Sequence, residues 1–138
     1  MMNQNMVHEV REAQAAGARA LNSLRRAQQH LQKARNWGFV DMLGGGLITS
    51  LIKHSRLSDA QACIQQAQAD LDTFRRELED VRVPNLEIGG FLTFADFFFD
   101  GFLADFLVQN RIHEAIEQLE RACRQVEELL YRLRGMRD

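Results

Sequence analysis

The residues best suited by type to metal or acid–base chemistry are Asp41, Asp96, Asp100 and Asp105, with His54. Asp96 and Asp100 are four apart, hence on one face if the segment is helical. Oxygen donors with one imidazole suit a hard or borderline divalent cation. The pattern lacks the Glu-x-x-His pairs that di-metal helical bundles use, and one histidine is too few for zinc. A capping role is the simpler expectation. Asp41 and Asp96 are each expected near the start of a short helix, where a carboxylate accepts backbone N–H bonds. Gly44-Gly45-Gly46 followed by Lys53 has the composition of a phosphate loop. A Walker motif, however, needs its lysine directly after the glycines with Ser or Thr next, and here His54 follows Lys53. Lys53-His54-Ser55 offers a base and a hydroxyl, yet no Ser, His and acid grouping points to acyl transfer. The expectation is no catalytic residue, no cofactor and no metal.

Those residues must be positioned by helices. Met6, Val10, Ala13, Gly17, Ala20, Leu24, Ala27, Leu31 and Ala34 recur in alternating steps of four and three, the seam of a long helix over about 4–36. Small residues at Ala13, Gly17, Ala20, Ala27 and Ala34 would let a partner backbone come close. Asn36-Trp37-Gly38 is expected to end this helix, since Gly38 can take the left-handed closing conformation, with Trp37 packing back over the joint. Leu57, Ala60, Ile64, Ala67, Leu71, Phe74, Leu78 and Val81 form a second seam. Ile112, Ala115, Leu119, Ala122, Val126, Leu129, Leu133 and Met136 form a third. Ser55 and Asn110 are the expected N-caps of these two helices, and Pro84 stops the first of them.

A shift of 55 residues aligns Phe39 with Phe94, Asp41 with Asp96, Gly46 with Gly101, Arg56 with Arg111, Ala60 with Ala115 and Ala67 with Ala122. This reads as an internal duplication of a short apolar helix followed by a long one, over about 37–83 and 92–138. The short helices are expected at Phe39–Lys53 and Phe94–Leu107, with a loop or small hairpin between Arg82 and Thr93. Gly44–Gly46 is either helical or a loop. Gly46 and Gly101, kept in both copies, would mark a crossing of the short helices. Seven of the nine phenylalanines lie between Phe91 and Phe106. Together with Trp37 and the crossing glycines, Phe94, Phe98, Phe102 and Phe106 are the expected packing or interaction residues.

The run Trp37-Gly-x-x-Asp41-Met42-Leu43-Gly44-Gly45-Gly46, then Lys53-His54-Ser55 and Asp59, resembles one found in an uncharacterised family of small bacterial helical proteins. The resemblance covers about Ala34 to Val81. It implies a helical fold and a bacterial source, and it brings no activity with it.

Composition narrows the function class. The 138 residues suit one domain, with 46% hydrophobic and 26% charged residues and a net charge of −2. There is no global basic field, so nucleic acid is not expected as a partner. The arginines of the first helix read as a solvated face, which Glu9 and Glu12 dilute. Cys63 and Cys123 lack metal-ligand spacing and are expected to be thiols that form no disulfide with each other. No cationic stretch followed by an apolar run appears at Met1-Met2-Asn3-Gln4, and Asp96, Asp100 and Asp105 interrupt the most apolar segment, so a cytoplasmic protein is expected. The fold expected is an all-α antiparallel bundle of three long and two short helices. The function expected is a non-enzymatic structural or protein-interaction module, a homodimer or a partner of another helical protein. One alternative is a binder of a small apolar ligand or lipid surface through the phenylalanine-rich helix. A metal-dependent enzyme using Asp41, Asp96 and Asp100 is the third reading.

Overall fold

A computed structural model describes the backbone of residues 4–44, 47–81, 89–99 and 112–137. Within these, side chains are described except at 34, 36–44, 47–58, 97–99, 136 and 137. Everything described is helical or a helix end, with no strand. The helices are α1 (Gln4–Gly44), α2 (Leu47–Asp80), α3 (Gly89–Phe99) and α4 (Ile112–Arg137). No helix among the described residues is long and apolar enough to cross a membrane.

The heptad seams become the core. Val10, Ala13, Ala20, Leu24, Ala27 and Leu31 of α1 are fully buried, as are Ala60, Ala67, Leu71, Phe74 and Leu78 of α2. Ala115, Leu119, Ala122, Val126 and Leu133 do the same for α4. Helix α1 packs against both α2 and α4, and α3 packs against α2. Cross-links give the directions. Ser23 of α1 donates to Asp70 of α2, while the earlier Glu12 lies beside the later Glu77. Likewise Arg25 meets Glu127 and the later Gln28 meets the earlier Glu120. Both α2 and α4 therefore run antiparallel to α1.

Several expected boundaries are corrected. Helix α1 does not stop at Gly38 but runs unbroken to Gly44, about 62 Å in all. One interior glycine costs a helix about 1 kcal/mol, too little to end one that carries so much packing. The segment Phe39–Lys53 is accordingly not a separate short helix. Its first part completes α1, and its last part opens α2, which begins at Leu47 rather than near Arg56. Ser55 is thus interior to α2 rather than at its start. Helix α3 begins at Gly89, five residues before the expected Phe94, so Gly89-Gly90 is its first turn rather than a loop. Residues 82–88, where the rest of the expected hairpin falls, lie outside the described residues.

Gly17 shows what its missing side chain makes room for. A β-carbon there would lie 2.7 Å from Leu130 Cδ2 of α4 and 2.9 Å from Phe74 Cε1 of α2. The space is filled by side chains of two helices rather than by a partner backbone, which corrects the expectation at this position. Phe74 in turn meets Phe91 of α3 edge to face, with centroids 5.4 Å apart and planes at 64°. Through one ring, α3 is joined to the place where α1, α2 and α4 meet.

Candidate functional site

The expected site residues fall on three different helices. Asp41 lies in the last turn of α1 and His54 in the interior of α2; their side chains are outside the described residues. Asp96 is the eighth residue of α3, past its first turn. The expectation that Asp41 and Asp96 sit near helix starts is therefore corrected. Asp41 is near a C-terminus, where the helix dipole disfavours a carboxylate. Asp96 instead accepts from Arg75 Nη1 at 3.3 Å, and Arg75 Nη2 reaches Asp72 at 2.7 Å. Arg75 thus ties α3 to α2, weakly, because the Asp96 side chain is 70% exposed. Asp100, Asp105, Gly46, Gly101, Phe102 and Phe106 lie outside the described residues, as do the side chains of Trp37 and Phe98. Phe94 is half-buried.

A carboxylate group that sequence reasoning missed arises from the antiparallel pairing. Glu9 and Glu12 of α1 and Glu77 of α2 bring ligand atoms within 4.8 Å of one another, the one such donor group among the described residues. Three carboxylate oxygens are about half the ligands a calcium ion takes. Burial, then the charges of Glu12 and Asp80, push the Glu77 carboxyl above its usual range. One Glu77 oxygen is buried with no hydrogen-bond partner. Glu77 is therefore a carboxyl that holds its proton to higher pH than an ordinary glutamate. The linkage sign follows from the raised pKa. The folded state binds this proton more tightly than the unfolded state, so Glu77 favours folding as pH falls through its folded value toward 4.5. At neutral pH its ionised form costs stability. Glu77→Gln is expected to raise the melting temperature at pH 7 and to match the parent below pH 4.5. A variant that melts lower than the parent at pH 7 would show the cluster to be stabilising instead.

Glu120 behaves oppositely. The hydrogen bond from Gln28, at 2.8 Å, is the main cause that lowers its pKa, with Arg124 adding to it. A second polar bridge is Asp70, which accepts from Ser23 across the helices and from Gln66 within α2 at 3.2 Å. His30 Nδ1 is buried and finds no hydrogen bond among the described residues.

The two thiols differ sharply. Burial pushes Cys123 up to about 11, whereas Cys63 is half-buried and lines a shallow groove with Ser23, Arg26, Ala62 and Gln66. Since the thiolate is the reactive form, alkylation of the folded protein at pH 8 is expected to label Cys63 first. Cys123 should follow only on unfolding, and equal labelling rates by mass spectrometry would contradict its burial.

An open groove of about 630 Å³ runs between α1 and α4. Leu21 and Leu130, both half-buried, contribute its apolar surface, and Arg25, Arg124, Glu127 and Tyr131 line it as well. Tyr131, 76% exposed, is the one large hydrophobic residue left in solvent among the described residues. The groove is open to solvent along its length rather than enclosed. Compared with protein-family models, curated proteins and solved structures, the chain finds no match.

Proposed function

We propose that this chain is a self-associating helical interaction module. The observation that carries the reading is the packing of α3. Its Gly89–Phe99 sequence has only Thr93 and Asp96 as polar side chains. Phe91 and Ala95 are buried, yet Leu92 and Phe94 are only half-buried. An apolar helix whose main support among the described residues is one neighbour is a face that a second protein surface would cover. The 55-residue duplication supports a repeated structural unit and is proposed with it. Helices α1 and α3 end at Gly44 and Phe99, positions that the shift superposes. The paired positions Ala60 and Ala115, Ile64 and Leu119, and Ala67 and Ala122 are all buried.

The half-exposed Leu92 and Phe94 also suit the second reading, a lipid-surface or apolar-ligand binder. Sedimentation velocity over a wide concentration range, with flotation on anionic vesicles, separates the two. Mass that grows with concentration, without flotation, supports the module. A monomer at every concentration that floats with vesicles overturns it.

A further inference from the structure

From the patterns on α1 and α4 we infer that a second copy of this chain lays the outer face of its α1 into the groove between α1 and α4, antiparallel to α4. This rests on the self-association reading and adds, away from the α3 face, a contact that assembly also requires.

Along α1, Glu12, Arg19 and Arg26 are spaced seven apart, about 10.5 Å on a helix, with Ala15 and Asn22 between them. From Arg19 to Arg26 this row is exposed. No acidic residue occurs between Glu12 and Asp41. Arg19 and Arg26 make no ion pair among the described residues, whereas Arg25 is held by Glu127 at 2.9 Å. Along the flank of α4 that borders the groove the same three-and-four rhythm runs through Glu120, Arg124, Glu127, Tyr131 and Arg134.

Set antiparallel, the two rows match at four of five steps, with the neutral Asn22 opposite the partner's Arg124. Arg26 meets the partner's Glu120, Arg19 meets the partner's Glu127, and Glu12 meets the partner's Arg134. Ala15 lies under the partner's Tyr131, so the exposed ring gains a small-residue seat beside the half-buried Leu130. Sliding by one heptad fails in both directions. One slide sets Glu12 against the partner's Glu127, and the other sets Arg19 against the partner's Arg134. Charge pattern rather than net charge thus selects one alignment. Glu127 keeps its bond to Arg25, since a carboxylate has room for more than one donor. The two surfaces are different parts of the molecule, so the contact is head-to-tail and generates a ring or filament rather than stopping at a pair.

Charge reversal tests it on the full chain by sedimentation velocity, at low and high salt. A variant carrying Arg19→Glu with Arg26→Glu, and one carrying Glu120→Arg with Glu127→Arg, should each stay monomeric where the parent assembles. An equimolar mixture should assemble again, because each reversed row then faces its opposite. The second variant also loses bonds to Arg25, Gln28 and Arg124, so its folding is checked by thermal melting. Tyr131→Ala leaves every charge in place and should weaken assembly at least tenfold. High salt should weaken the parent assembly. Variants that assemble like the parent, or a mixture that stays monomeric, overturn this contact and leave self-association standing. A parent that is monomeric at all concentrations overturns both.

Discussion

Phe74→Ala is expected to destabilise the fold by about 3–5 kcal/mol, the range for truncating a fully buried aromatic ring. The ring has no exposed surface. It lies against the open side of Gly17 on α1 and meets Phe91 of α3 edge to face. Its removal leaves a void at the place where α1, α2 and α4 meet and deprives α3 of its buried aromatic partner. Two readouts should move together. The urea midpoint should fall, and proteolysis in the α3 region should become faster than at the far end of the bundle. A loss below about 1 kcal/mol would mean that the surrounding helices collapse into the space, against the close-packed junction described above.

Gly17→Leu should be the second large effect. Even the first added carbon would sit 2.7 Å from Leu130 Cδ2, 2.9 Å from Phe74 Cε1 and 3.0 Å from Phe74 Cζ. Leu130 is half-buried and can turn outward, but the Phe74 ring is enclosed and cannot. Overpacking of this kind costs about 3 kcal/mol or more, roughly 10 °C in melting temperature for a chain of this size. Gly17→Ala should cost much less. Its clash is relieved in part by Leu130, and alanine is the better helix former by about 1 kcal/mol. The double variant Gly17→Leu/Phe74→Ala supplies the decisive comparison. If the two residues share one space, the leucine enters the void left by the ring and the double variant is more stable than the sum of its parts. Strict additivity would place the two side chains apart and refute the junction.

The three long seams were legible in the sequence because burial of a helix face is a local, periodic property. Leu24, Leu31, Leu71, Leu78, Leu119 and Leu133 repeat at intervals that only a helix brings to one side, and all six are buried. The end of α2 before Pro84 and the start of α4 at Ile112 were legible, but other helix ends were not. Gly38 and Ser55 are a stop signal and a start signal only when nothing stronger opposes them. Each is worth about 1 kcal/mol, and the continuous packing of α1 and α2 exceeds that. The boundary falls instead between Gly44 and Leu47, and α3 starts at a glycine pair that reads locally as a turn.

What the amino-acid sequence determined by itself is that the described segments are helical and most of the positions of Val10 to Leu31, Ala60 to Val81 and Ile112 to Leu133 that face inward, though not Ala16 or Ile116. Tertiary structure alone decided the sites. Glu9 and Glu12 are far from Glu77 in the chain, as Ser23 is from Asp70 and Arg25 from Glu127, and no local pattern relates them. The register of α1 against α2 gathers three carboxylates and raises the proton affinity of one. The register of α1 against α4 opens the groove beneath Tyr131 and closes the space at Gly17. Periodicity tells which face of a helix is apolar. Its position along a neighbour depends on how the side chains of both helices fit together, and that information is shared between segments rather than held in either one.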